Sequence, residues 1–210
     1  MKKMKSTLVN MVGVLVGVAL IMGGILAFVN NMTKEPIQLQ AEKTLQDGIK
    51  AVMMSDNLKV TATDTITQSF DSKDYEFIVH KTVDEKGGAL GSAVETTTLG
   101  FGGDLKVLVG FNPQGEILGY TLLEHAETPG LGAKADAWFQ KDGKGCIIGK
   151  DPKQPLQVKK ATGTDADVDA ITASTITTRA FLKAVNQAYT VYMQANQEVV
   201  SQEEAKVENF

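Results

Sequence analysis

The sequence predicts an α+β protein: a single N-terminal transmembrane helix followed by one extracytoplasmic domain in which packed helices meet an antiparallel sheet. Three observations lead there. A 22-residue run from Leu8 to Val29 contains only Asn10 among polar types. The middle of the chain alternates apolar and polar residues between turn signals. Near the C-terminus, apolar residues recur at helical spacing. With 210 residues, 43% hydrophobic and 22% charged, the chain is long enough for one sizeable core and an appendage. It shows no internal repeat and no second core-sized unit, so one domain behind the anchor is the economical reading.

At about 1.5 Å per residue, the run Leu8 to Val29 spans roughly 33 Å, enough to cross a bilayer core. A cleaved signal peptide would have an apolar stretch of about 7 to 15 residues ending in a small-residue site. Ala27, Phe28 and Val29 fit that poorly, so the run reads as a retained anchor. Lys2, Lys3 and Lys5 precede it. The positive-inside rule therefore makes 1–7 a basic cytoplasmic N-terminus and 8–29 the span, and sends everything beyond outside. Gly13 and Gly17 form a GxxxG pair, and Ala19, Gly23 and Ala27 repeat small residues at the same spacing. Such a face suits docking on other membrane subunits, although glycine is also simply common in membrane helices.

Residues 30–98 read as the first part of the domain. After a polar stretch from Asn30 to Pro36, Ala41, Leu45, Ile49 and Val52 predict a first soluble helix. Val60 to Ile66 and Tyr75 to Thr82 predict short strands separated by turn material near Asp71 to Asp74, whereas Gly87 to Thr97 is ambiguous. Residues 99–199 read as the functional core. There Leu105, Val107, Val109 and Phe111 alternate, NPQG (Asn112 to Gly115) supplies a turn, and Ile117 to Leu123 runs back, which predicts a hairpin. Ala133 to Gln140 reads as a short helix, followed by a glycine- and lysine-rich loop up to Pro155. A last helix is expected from about Thr178 to Val199, with Phe181, Val185, Ala188, Tyr192 and Ala195 on one face. Residues 200–210 form a polar tail.

Charge and side-chain chemistry exclude several function classes. All 25 acidic residues follow the anchor and three of the 21 bases precede it, so 18 bases face 25 acids beyond it, a balance of −7. Nucleic acid is a poor partner for such a surface. Cys146 is the single cysteine, and His80 and His125 are far apart, so neither a disulfide framework nor a zinc cluster is readable.

Three segments carry the candidate chemistry. In DAITASTITTRA, five hydroxyls (Thr172, Ser174, Thr175, Thr177, Thr178) crowd the start of the last helix. Capping explains one of them, not five. Thr175 opens a helical segment, and helix N-terminal N–H groups favour negative charge, so its hydroxyl suits a phosphate ester; Arg179 follows and could pair with an anion. The second segment, HAETPGLG (His125 to Gly132), has glycines that let a ligand approach the backbone, and reads otherwise as a surface turn. Glu127 and His125 suggest acid–base work, but no nucleophile pairs with them in sequence, and no catalytic residue is assigned. The third, GFGGD (Gly100 to Asp104), lacks the full dinucleotide spacing and reads as a strand-entry turn.

These segments, in this order behind an anchor, resemble the flavin-binding G subunit of Rnf electron-transport complexes and, more distantly, the C subunit of the sodium-pumping NADH:quinone reductases. The likeness covers nearly the whole chain. Gly100 to Gly132 looks like the family's glycine turn, hairpin and ETPGLG flavin loop, and DAITASTITTRA looks like the site where a flavin transferase attaches FMN. The family pattern runs Asp, two variable residues, Ser or Thr, Gly, Ala, Thr. Here it becomes Asp169, Ala170, Ile171, Thr172, Ala173, Ser174, Thr175, with Ala173 where glycine is usual and Ser174 where alanine is usual. A glycine at 173 would accommodate a positive φ that alanine disfavours.

The resemblance implies an α+β FMN-binding domain with FMN bound covalently to Thr175 through its phosphate, a phosphoester. It implies cofactor contacts from Glu127, Thr128, Gly130, Leu131, Gly132, Asp169, Thr172, Ala173 and Ser174, with the ring against the ETPGLG loop. It further implies an electron-carrying redox subunit of an ion-translocating complex in the bacterial inner membrane, N-terminus inside and flavin domain periplasmic. Its partners would be the other membrane subunits, with a flavin transferase for maturation, and no turnover would occur in the isolated chain. Two rival readings are an anchored FMN domain serving a separate extracytoplasmic reductase, and a non-redox anchored binding domain.

Overall fold

The structure, a computed structural model, describes residues 7–159 and 164–207. Lys2, Lys3 and Lys5, and the last residues of the expected polar tail, lie outside the described residues. The chain divides into two compact units, the first ending at Thr44 and the second beginning at Leu45.

The first unit is helical. Helix α1 runs from Leu8 to Val52, and its most apolar 18-residue window has a mean hydropathy of 2.7 with none of it buried. By length and composition this helix fits a single-pass membrane anchor. The sequence predicts two helices separated by Asn30 to Pro36, but α1 is continuous through Pro36. Proline removes one backbone donor, and the residues around it include good helix formers (Met32, Lys34, Glu35, Gln38, Leu39) that carry the helix past this loss.

The second unit is built on a five-stranded antiparallel meander in the order β1 (Lys59–Phe70), β2 (Lys73–Val83), β3 (Ala89–Leu99), β4 (Asp104–Phe111) and β5 (Ile117–His125). The β1–β2 connection is a two-residue turn with Asp71 at φ 52° and Ser72 at φ 62°, the left-handed pair that matches the twist of flanking strands. The expected hairpin is β4–β5. Its turn is closed by Asn112, whose Oδ1 accepts from the amides of Gln114 (3.0 Å) and Glu116 (2.9 Å).

The segment that reads ambiguously in sequence, Gly87 to Thr97, holds most of the central strand β3. Beyond β5, a short 3₁₀ turn (Gly132–Lys134) leads into α2 (Ala135–Trp138), and two-residue strands β6 (Gln157–Val158) and β7 (Asp167–Val168) pair in parallel.

Helix α3 runs from Thr175 to Val207. It starts three residues before the expected Thr178, because Ser174 supplies the capping carbonyl: the Thr178 amide donates to Ser174 O at 3.0 Å. It also continues beyond Val199 through Gln202, Glu203, Glu204, Ala205 and Lys206, all strong helix formers. The stripe Phe181, Val185, Ala188, Tyr192 and Ala195 is buried as expected and packs with Phe77, Val79, Val94, Val107 and Val109 on one face of the sheet. On the other face, Ile49, Val52 and Met53 pack with Ala93 and Leu108.

Two contacts lock the approach to α3. Phe139 and Phe181 stack at 4.3 Å between ring centroids, and the Trp138 indole donates to Asp169 O at 2.8 Å.

Candidate functional site

The three motif segments meet at the N-terminal end of α3. The β3–β4 turn, the loop after β5 and the first turn of α3 enclose a cavity of about 400 Å³. Glu127, Thr128, Leu131, Gly132, Ala173, Ser174 and Thr175 line it, joined by Phe101, Ile176 and Thr177.

Glu127 holds this assembly together. Its carboxylate is buried, 6% exposed. Oε1 accepts from the Phe101 amide at 2.7 Å and, more weakly, from Gly102 at 3.4 Å, while Oε2 accepts from the Thr177 hydroxyl at 2.8 Å. One side chain thus fastens the β3–β4 turn, its own loop and α3, through hydrogen bonds strengthened by the acceptor's charge. The glycines make room for it. A Cβ on Gly100 would lie 2.1 Å from Oε1, and one on Gly132 would lie 2.3 Å from Oε2. In the structure Glu127 ties the two loops to α3 through these bonds. His125 Nδ1 meets the Glu127 amide at 3.3 Å, and its Nε2 lies 3.8 Å from Asp136 Oδ2.

The five hydroxyls separate by role. Thr178 Oγ1 accepts from the Ile171 amide at 3.1 Å and donates to Ser174 O at 3.0 Å, and Thr177 is bound to Glu127. Both are buried, as is Ser174. Thr172 and Thr175 are exposed, and of these two only Thr175 lines the cavity, at the first position of α3. The leading amides of a helix have no intrahelical acceptor, so an anion on the Thr175 oxygen would face unpaired donors and the positive end of the helix dipole.

Before the helix, the Ser174 amide donates to Ile171 O at 3.0 Å, closing a turn in which Ala173 sits at φ 61°. Alanine therefore occupies a left-handed position that favours glycine, at a cost of about 1 kcal/mol.

Other expected contacts lie elsewhere. Gly130 is in the loop at φ 76° without lining the cavity. Asp169 Oδ1 is 3.6 Å from Lys159 Nζ and borders a different hollow, and Thr172 occupies the exposed turn. Arg179 lines a separate hollow along α3. Sequence reasoning misses Phe101, Ile176 and Thr177. Phe101 (68% exposed), Leu131 (41%) and Ile176 (57%) form an apolar rim on the cavity. The GFGGD turn is the one signal for Phe101, because a large apolar residue among glycines that is not needed for the core marks it.

Comparison with known proteins bears on this arrangement. The family model described as FMN-binding domain matches residues 100–190, which run from the β3–β4 turn to the middle of α3. The G subunit of the ion-translocating oxidoreductase complex of Shewanella oneidensis is 35% identical over 88% of this chain and 89% of its own. The chain belongs to the G-subunit family of ion-translocating oxidoreductase complexes. Within that family, the Shewanella piezotolerans protein is 31% identical over 94% of both chains. The G subunit of the Na(+)-translocating ferredoxin:NAD(+) oxidoreductase complex of Acetobacterium woodii is 38% identical over 50% of this chain and 51% of its own. The crystal structure of Shewanella oneidensis NqrC aligns over 61% of this chain and 64% of its own, with a TM-score of 0.47 and 23% identity. The likeness to the family covers nearly the whole length of the chain, as the sequence resemblance implies.

Proposed function

We propose that the chain is an electron-carrying FMN subunit of an ion-translocating oxidoreductase complex, with the flavin joined through its phosphate to Thr175 Oγ1. The observation that carries this reading is the meeting of Phe101, the ETPGLG loop and Thr175 on one cavity. Of the five clustered hydroxyls, Thr175 alone is both exposed and part of the lining. The fit is chemical as well as spatial. Glycines at 100 and 132 leave room for the Glu127 carboxylate that ties the loops to α3, and the apolar rim of Phe101, Leu131 and Ile176 suits a planar ring. Flavin, when bound, supplies reversible electron transfer.

The chain's own residues do the rest. The first-turn amides of α3 offset phosphate charge. Phe101, Leu131 and Ile176 shield a ring from water. Glu127 fixes the two loops against α3, so that rim and attachment point keep one geometry. Thr128, Ala173 and Ser174 would contact the cofactor, while Gly130, Asp169 and Thr172 would shape the loops around it.

The domain would lie outside the cytoplasm with the N-terminus inside, because Lys2, Lys3 and Lys5 favour the cytoplasmic face. A reversibly bound cofactor there would be lost by dilution, whereas a phosphoester made by a flavin transferase removes that dependence on affinity. Denaturing-gel fluorescence after co-expression with a flavin transferase tests the assignment. The wild type should fluoresce and Thr175→Ala should not; equal fluorescence from both would overturn it. Protease added to intact spheroplasts should digest the domain, and protection of residues beyond Asn30 would refute the orientation.

A further inference from the structure

A feature of the domain with no role so far is a hollow of about 660 Å³ bounded by Phe70 and Asp71 at the end of β1, by Leu156–Lys159, and by α3. Its floor is one stripe of that helix: Arg179, Leu182, Lys183, Asn186, Gln187 and Thr190. The spacing of three and four residues keeps them on a single face. The eleven steps from Arg179 to Thr190 rise roughly 16 Å, which is the length of about five residues of extended chain. The hollow is therefore a trough, shaped for a strand-like segment more than for a compact molecule.

Its chemistry is the reverse of the domain's. Beyond the anchor, acids exceed bases, yet Arg179, the only arginine in the chain, meets Lys159 and Lys183 here against one lining carboxylate, Asp71. Lys183 is held by Asp71 at 2.8 Å and Lys159 stands 3.6 Å from Asp169, but Arg179 has no carboxylate partner among the described residues. Between the cations, Leu156, Val158 and Leu182 give the trough an apolar base. Gln187 is only 4% exposed, and neither its amide nitrogen nor its oxygen has a hydrogen-bond partner among the described residues. Buried amides are ordinarily satisfied, so the base of the trough carries polar groups that the described residues leave unpaired. Asn186 is already spent, exchanging bonds with Leu156 N (2.8 Å) and Leu156 O (2.9 Å), which fixes the trough's wall.

We propose that this trough is the docking site for an extended, acidic peptide segment of a neighbouring subunit, with its carboxylates on Arg179, Lys159 and Lys183 and its apolar side chains on Leu156, Val158 and Leu182. The inference rests on membership of a complex as proposed above. It adds a contact in a hollow separate from the Thr175 cavity, so the segment would hold the domain without covering the attachment point.

Carbodiimide cross-linking of the intact complex, purified through this chain, tests it, because the reagent joins a lysine amine only to a carboxylate already in contact. Peptide mapping should find Lys159 and Lys183 linked to Asp or Glu residues of one short segment in another subunit. High salt should abolish those links. Arg179→Glu should lose them, and Arg179→Gln should weaken them, while links from lysines remote from the trough persist in the same samples. An intact complex in which Lys159 and Lys183 link only to their own Asp169 and Asp71, or to a second copy of this chain, refutes the trough proposal alone. If no other subunit co-purifies, complex membership fails and the trough proposal fails with it.

Discussion

Replacing Glu127 with alanine tests whether one carboxylate holds the candidate site together. The substitution strips acceptors from the Phe101 amide and the Thr177 hydroxyl, at 2.7 and 2.8 Å, and from the weaker Gly102 contact at 3.4 Å. Hydrogen bonds to a charged acceptor contribute about 1.5–3 kcal/mol each. The two short ones together therefore predict a loss of about 4 kcal/mol, the long one adding little. For a domain of this size such a loss lowers Tm by roughly 10 °C. Trp138 is the only tryptophan and is hydrogen-bonded to Asp169 O next to the site, so its fluorescence on heating the full chain in detergent reports the transition directly. Amide exchange at Phe101 should accelerate in the same variant. Thr177→Val should share part of the effect, giving a non-additive double mutant with a coupling of about 1–2 kcal/mol. A Tm drop below about 3 °C, with Phe101 exchange unchanged, would refute the latch.

Further outcomes follow from single residues. Ala173→Gly should raise stability by about 1 kcal/mol in a thermal melt, since φ 61° strains alanine and not glycine; destabilisation would show that the turn is not limited by that angle. Gly132→Ala should lower both stability and flavin yield, because the added Cβ would sit 2.3 Å from Glu127 Oε2, and a wild-type yield would argue against the cradle. Burial pushes the Glu95 carboxyl up, but the side chains of His80 and Lys106, each 2.7 Å from one of its oxygens, outweigh burial and hold it below its ordinary value of 4.5. A carboxyl depressed in the folded state adds stability that is present above that ordinary value and is lost as pH falls through the folded one. Acid titration should therefore destabilise the wild type below about pH 4.5 more steeply than Glu95→Gln; parallel curves would contradict the network.

Much of this architecture is legible in the sequence where one physical signal dominates. Hairpin β4–β5 shows because Leu105, Val107, Val109 and Phe111 alternate into a core and Asn112 closes the turn with its own side chain. The α3 stripe shows because a helix buried on one side must repeat apolar residues at its own period. Strand β3 hides because Ser92, Glu95, Thr96 and Thr98 are buried polar residues, and the partners identified for two of them lie on other elements. Glu95 bonds His80 and Lys106, and Thr98 donates to Ala180 O at 3.1 Å. No periodicity announces such long-range satisfaction.

The site follows the same division. Thr175 is readable from a local motif, while the contribution of Phe101 depends on a turn 74 positions earlier lying against α3, a meeting fastened by Glu127. Local pattern also places Arg179 beside Thr175, yet Arg179 lines the trough. One helical turn separates the two in sequence, and tertiary packing gives them different surroundings.

Peptide mass mapping of the chain matured with a flavin transferase tests the central assignment most directly. Attachment at Thr175 predicts that the peptide spanning Asp169 to Arg179 carries the mass of one FMN less one water, and that fragmentation places it on Thr175. The same mass on Thr172, Ser174, Thr177 or Thr178, or an unmodified peptide from fully matured protein, would contradict it.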